Sequence, residues 1–309
     1  MRKHKPQTNP LSLNDTGNHI RPSRNETSDQ LRQVYPHKPK ANETVAVAVS
    51  GGVDSMVTTL LLKEDEHEVL ALHMILRPED SPEPGEHVVQ LAARLSVPLH
   101  VVDLRRPFHQ QVIKPFLEAY RRGQTPNPCV ICNPNIKFTL LQEQAVELGA
   151  TTLATGHYVR LLRDESDGSL RLFRGRDRSK DQSYFLYRLD QAQLARTFFP
   201  LGNYLKSEVR KVAEDAGMQG YYRPESQEIC FISDKDYRTF LEQHLGSDLP
   251  GPGPVVDLNG RQLGEHEGIH RYTIGQRRGL GIPSSAPYYV IGLEPDTNTI
   301  RVGRESDLR

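Results

Sequence analysis

Polar residues fill the first 43 positions, and the apolar pattern starts abruptly after Thr44 with Val45-Ala46-Val47-Ala48-Val49. An uninterrupted apolar run of this length suits a strand buried on both faces, as in a parallel sheet. Residues 56–63 (MVTTLLLK) then suit a helix packed on that strand. Further strands are expected at 68–76 (EVLALHMIL), 99–104 (LHVVDL) and 151–155 (TTLAT), with helices at 87–95, 108–122 and 136–148. A proline-rich loop occupies 78–85, a second holds Pro126, Pro128 and Pro134, and Gly149 stops the helix before the last strand. Strands alternating with helices imply βαβ units, so the expected fold class is α/β with a doubly wound parallel sheet. Ligands of such sheets sit at the carboxyl ends of the strands. The turn after Val49, Met74, and Gly156-His157 all fall at such ends.

Beyond about residue 188 the pattern changes. Residues 207–216 (SEVRKVAEDA) form a short amphipathic helix with Ser207 as N-cap candidate and Gly217 as its stop. From Gly251 onward glycine and proline rise and strands shorten. Residues 255–263 carry a hairpin pattern with Asn259-Gly260 at the turn, and 288–293 and 299–302 read as strands around Pro295-Asp296. The expected organisation is a disordered polar tail (1–43), a catalytic α/β domain (44–188), a helical linking region carrying Cys230 (189–250), and a small β-rich module (251–309) too short for a closed barrel.

Charge adds little direction. Lys plus Arg and Asp plus Glu both number 39, so no global field draws the chain to nucleic acid or membrane, and RNA binding would have to use local patches. No apolar run approaches the ~20 residues of a membrane helix. Residues 1–43 contain no apolar signal core, and Asp15, Glu26 and Asp29 argue against a transit peptide, which leaves the cytoplasm as the expected compartment. Three cysteines in 309 residues are no disulfide framework.

Candidate chemistry begins at Ser50-Gly51-Gly52-Val53-Asp54-Ser55. A glycine turn between a buried strand and a helix N-terminus offers N–H groups and the helix dipole to phosphate. Asp54 in such a site makes sense as a ligand of Mg2+ held against a pyrophosphate. No Lys follows, so this is not the GxxxxGK[ST] loop; the plainer reading is a Gly-Gly turn. Cys129-Val130-Ile131-Cys132 sits in the proline-rich loop, with Cys230 about a hundred residues on. CxxC serves metals, redox exchange or sulfur transfer, and the plainer alternative is a set of small buried thiols. A zinc site would need a fourth ligand that spacing does not supply. Residues 180–186 (KDQSYFL) follow Arg174, Arg176 and Arg178, and cations beside aromatics suit single-stranded RNA. Arg271-Tyr272 and Gln276-Arg277-Arg278 have the same composition, and a solvated surface is the plainer reading of each.

SGGVDS, TPNPCVICNPNIKF, ATGHYVR, KDQSYFL, ESQEICFI and HRYTIGQRRGLGI occur in the order seen in tRNA-specific 2-thiouridylases, and this resemblance spans about residues 44–303. It implies an N-type ATP pyrophosphatase fold, adenine-nucleotide α-hydrolase-like and Rossmann-type. It also implies a tRNA-uridine 2-sulfurtransferase that adenylates the 2-carbonyl oxygen of the wobble uridine and replaces it with sulfur. By motif matching, Ala48, Val49, Ser50, Gly51, Gly52, Val53, Asp54, Ser55 and Met74 would hold ATP, with Gly156 closing the site. Asn127, Pro128 and Cys129 would contact the target base, and His157, Lys180, Asp181 and Gln182 the tRNA. Cys132 matches the family's nucleophile and Cys230 its persulfide carrier, and the two would form a disulfide as sulfur is released. The implied partners are wobble-uridine tRNAs and a persulfide or sulfide donor, such as a cysteine desulfurase or a relay protein. Many relatives carry Asp where this chain has Cys129, a poor general acid–base at neutral pH. The three thiols offer a second route, as ligands of a [4Fe-4S] cluster with one iron left open. Rival functions are an amidotransferase-type ligase on the same ATP loop and a non-catalytic tRNA-binding protein.

Overall fold

The computed structural model describes residues 38–40, 43–77, 80–222, 229–232 and 236–308. The expectations for residues 1–37 and for Ser226-Gln227-Glu228 therefore lie outside the described residues. The chain alternates β1 (Thr44–Ala48), α1 (Val53–Glu64), β2 (Glu68–Ile75), α2 (Glu86–Leu95) and β3 (Leu99–Asp103). Two long helical runs follow, α3 (105–121) and α4 (128–147), and α4 leads into β4 (Thr152–Ala154). Next come β5 (Val159–Arg163), β6 (Leu170–Arg174), α5 (Gln191–Ala195), β7 (Thr197–Phe198) and α6 (Lys206–Asp215).

The main sheet runs β3-β2-β1-β4-β7 with every pair parallel. The chain builds outward from β1 on one side, then crosses over to build on the other. The switch point therefore lies between β1 and β4, where a doubly wound sheet opens a crevice. Strand alternation divides the core in two. Ala46, Leu72 and Leu153 face a layer of α3 and α4 side chains that includes Phe108, Phe116, Ile136 and Phe138. Val45, Val47 and Ala154 face Met56, Val57, Leu91 and Val209 on the opposite side.

The C-terminal part holds α7 (Tyr237–Leu245), β8 (Gly253–Val256), β9 (Gln262–His266), β10 (Tyr289–Glu294) and β11 (Thr299–Gly303). These four strands form one sheet in the order β10-β11-β8-β9 over Val255, Ile269, Val290, Ile300 and Val302. The β8–β9 hairpin turns at Gly260 with φ +81°, as the Asn-Gly signal predicts.

Two local expectations are corrected. Cys129 and Cys132 lie in a helix and not in a loop, because Pro128 takes the N1 position and the Asn127 Oδ1 caps the turn by accepting the Cys129 N–H at 3.1 Å. The helix at 207–216 starts one residue earlier, at Lys206, with the Glu208 carboxylate accepting the Leu205 N–H at 2.7 Å, so Ser207 is not its cap. The β5–β6 hairpin and the two-residue β7 are additions to the expected strands.

Candidate functional site

The loop after β1 is held by its own serines. The Ser55 hydroxyl donates to the Gly52 carbonyl at 3.0 Å and accepts the Ser50 N–H at 3.3 Å, while the Ser50 hydroxyl accepts the Gly52 N–H at 3.4 Å. Gly51 sits at φ +81°, and a Cβ there would overlap the His87 imidazole, so glycine is required on both conformational and steric grounds. Gly52 is the N-cap of α1 and brings no capping side chain, which leaves the helix N-terminus to an anion. Val49 is buried, with its carbonyl bonded to the His73 ring at 2.8 Å, while Ala48 and Met74 are half-buried at the ends of β1 and β2.

Asp54 is the hub of this crevice. Both its carboxylate oxygens accept from the Lys206 ammonium at 2.7 Å, and Oδ1 also accepts the Tyr158 hydroxyl at 2.8 Å. The Lys206 side chain is only 7% exposed, and this pairing satisfies its buried Nζ. It also lies 5.6 Å from the Tyr158 ring centre. Gly156 packs so closely that a Cβ would stand 2.9 Å from the Asp54 backbone carbon. The stretch after β4 therefore closes on the phosphate loop through both Gly156 and Tyr158.

His157 points the other way. Its Nδ1 is 2.7 Å from the Thr155 hydroxyl, and its ring lies between Phe138 and Phe199 at about 6 Å from each. Burial holds its pKa well below the ordinary imidazole value, with the Lys137 charge adding to the depression. Lys137 is also the cation that acts on all three thiols. Burial pushes Cys129, Cys132 and Cys230 above the ordinary thiol value, Cys132 to about 12, and Lys137 opposes the shift in each case. Cys132 feels both other thiols, and Cys230 feels Cys129. Cys132 and Ile229, the neighbour of Cys230, both pack against the same core layer.

Cys230 is exposed at its surface yet ringed by protein, which is why desolvation still raises its thiol. Its position is fixed by Phe231, buried with ring centres 5.7, 5.2 and 5.3 Å from Phe108, Phe116 and Phe240. All three cysteines are free thiols.

Metals fit this arrangement unevenly. Among the described residues no three His, Cys, Asp or Glu side chains are grouped to hold a metal ion. The thiols share a charge environment without forming a ligand set, so a [4Fe-4S] cluster does not fit them as placed. Mg2+ on nucleotide phosphates needs only one or two carboxylates. Asp54 can be that carboxylate by sharing its oxygens between the metal and Lys206.

The predicted RNA contacts are largely engaged within the protein. Asp181 accepts the Gly175 N–H at 2.9 Å and the Ser183 hydroxyl at 2.8 Å, and the Gln182 Oε1 accepts the Tyr158 N–H at 3.0 Å. Pro128 is buried, and Lys180 is half-buried. Lys137, Tyr158 and Lys206 were not singled out by sequence reasoning. Lys206 pairs across 152 residues, and no local pattern signals that.

Residues 43–234 match the family described as tRNA methyl transferase HUP domain, and 238–304 the one described as tRNA methyl transferase PRC-barrel domain. The tRNA-specific 2-thiouridylase MnmA of Carboxydothermus hydrogenoformans is 45% identical over 276 residues, covering 85% of this chain and 75% of the relative. The same-named protein of Geobacter metallireducens is 46% identical over 283 residues, covering 87% and 76%. Among solved structures, a 4-thiouridine synthetase–RNA complex with bound ATP aligns with a TM-score of 0.42 at 18% identity, over 67% of this chain and 51% of the other. Among the described residues no helix is long and apolar enough to cross a membrane. By these matches over most of its length, the chain belongs to the family of tRNA-specific 2-thiouridylases.

Proposed function

We propose that this chain adenylates the 2-carbonyl oxygen of a tRNA wobble uridine with ATP and then replaces that oxygen with sulfur carried by Cys230. The observation that carries the reading is the segment after β4, which faces two chemistries at once. Gly156 and Tyr158 touch Asp54 in the phosphate loop, while the His157 ring packs on Phe138 of α4, the helix that carries Cys129 and Cys132. This segment therefore links the phosphate loop to the helix of the thiols.

The uridine O2 attacks the α-phosphorus of ATP and releases pyrophosphate, so AMP becomes the leaving group on C2. The Ser50–Ser55 backbone and the α1 N-terminus hold the phosphates, and Lys206 supplies positive charge beside them. Mg2+, held by Asp54 with the phosphates, would neutralise further charge there. Cys230 carries a persulfide received from a cysteine desulfurase or a relay protein. Its terminal sulfur attacks C2, Cys132 attacks the Cys230 sulfur, and the S–S bond of the persulfide breaks as AMP leaves. The products are 2-thiouridine, AMP and a Cys132–Cys230 disulfide, which a cellular dithiol must reduce before the next turnover. Asn127 and Pro128 position the entering base and Cys129 lines its path. The flipped base also has to pass the first turn of α4.

The test is reconstitution with purified chain, a wobble-uridine tRNA, ATP, a cysteine desulfurase and cysteine. AMP release is expected to require tRNA, and 2-thiouridine is expected by mass spectrometry of the digested RNA. Cys230→Ser is expected to keep tRNA-dependent AMP release and lose the thiolated product. Incorporation of nitrogen from ammonium in place of sulfur would move the chain to the amidotransferase-type ligases. Iron and sulfide assays on anaerobically purified protein decide the cluster route: a colourless, iron-free, fully active enzyme excludes it.

A further inference from the structure

The Lys180–Gln182 stretch ties the chain down, and what it displays is the turn that follows. Residues Ser183–Leu186 form a 3-10 turn in which side chains three positions apart eclipse. Tyr184 and Tyr187 accordingly lie on one side, 64% and 63% exposed, with ring centres 5.9 Å apart and planes tilted by 38°. Exposed aromatic pairs of this kind are costly to leave in water, so they mark contact surfaces. This one is rigidly mounted: Leu186, between the two tyrosines in the chain, is fully buried. The Asn133 side-chain amide, itself 4% exposed, donates to the Phe185 carbonyl at 3.0 Å. Asn133 follows Cys132 directly, so the tyrosines are held at a fixed offset from the thiols. Arg174, Arg178 and Arg188 are exposed on the same stretch of chain and make no ion pair among the described residues.

We propose that Tyr184 and Tyr187 form a stacking platform for an unpaired base of the RNA substrate that flanks the uridine being modified, with Arg178 and Arg188 meeting the adjoining phosphates. Rings with cations beside them and no hydrogen-bond reader on the ring face suit a base of any identity. Stacking the neighbour would hold the loop open and leave the target uridine free to enter the crevice. This inference rests on the tRNA-thiolating reading, and it adds the tyrosines to the RNA-contacting stretch.

The test uses the full chain and the anticodon stem-loop of a wobble-uridine tRNA, alongside stem-loops carrying an abasic site at each loop position. Y184L/Y187L is expected to raise Kd about ten-fold, the size of one lost stacking contact, while Y184F/Y187F stays near wild type. At the one loop position whose base stacks, the abasic RNA is expected to bind wild type and the Leu variant equally. A Leu variant that binds as tightly as wild type overturns the platform, as does a loss that is the same on every abasic RNA. A Leu variant that changes only the sedimenting mass of the protein overturns it in favour of self-association. Wild type that binds the stem-loop yet forms no 2-thiouridine overturns the functional reading instead, leaving the platform standing.

Discussion

Lys206 and Asp54 show how much of this site depends on single side chains meeting across the fold. A carboxylate beside a phosphate loop is legible in sequence, and so is the glycine turn that exposes the helix N-terminus. The lysine that satisfies that carboxylate is not, because its helix looks like any surface helix until packing buries its first residue. Lys206→Met leaves Asp54 with the Tyr158 hydroxyl as a donor, and the expected cost is about 2 kcal/mol in denaturant unfolding. The D54N/K206M double variant removes both charges and is expected to recover much of that stability while remaining inactive in AMP release. Recovery of activity with stability would show that the pair serves folding alone. At the thiols, Lys137 is the group that draws all three pKa values back down, with Arg77 adding to it at Cys230. Lys137→Met is therefore expected to raise all three, shrink the thiolate fraction and slow alkylation of the exposed Cys230 at pH 8, which timed iodoacetamide labelling and peptide mass spectrometry would measure.

At the scale of elements, α4 explains why two cysteines and a lysine act together. Its stretch Asn133–Leu141 is π-type, with i→i+5 bonding. Pro134 has no N–H to give, and in a regular helix its ring would collide with the Val130 carbonyl. The widened turn avoids this, and the Pro134 carbonyl instead accepts the Thr139 hydroxyl at 2.7 Å and the Gln193 amide at 2.8 Å. At 3.6 residues per turn Lys137 would point away from Cys132, and the wider turn brings it round to the same side. The sequence shows a proline between two candidate segments and reads as a loop, because a π stretch has no hydrophobic period of its own. Asn127-Pro128 was the available signal: a capping residue followed by proline opens a helix as readily as it ends one. Pro134→Ala restores the N–H and is expected to tighten the stretch, turning Lys137 off the thiols. Sulfur transfer is then expected to fall about ten-fold with tRNA-dependent AMP release retained, measured by following both products in one reaction. Equal loss of both would mean the proline supports the whole helix.

Over the whole molecule, the doubly wound core was legible because apolar runs of β1 to β3 outlast any helical reading, whereas the parts that complete the site come from packing. Depressed histidines show the same distribution. His157 at the site, His67 after α1, and His266 and His270 in the C-terminal sheet all have pKa values lowered, each with burial as the leading cause. Both ring nitrogens of His270 lack a partner among the described residues, so it gains no bond on protonation. In the unfolded chain each of these histidines would titrate near the ordinary value of about 6.5. Above that pH both states are neutral and the histidines cost nothing. Below it the unfolded state takes up protons that the folded state refuses, so stability falls as pH drops, with a slope set by the number of such groups. The melting temperature is expected to hold nearly constant from pH 8 to 7 and to fall steeply from 6.5 to 5. His270→Phe, which fills the same buried space without a titrating ring, is expected to flatten that slope, read by thermal melts across the range. A variant whose melting temperature falls with pH as wild type does would place the acid sensitivity in His67, His157 and His266 and not in His270.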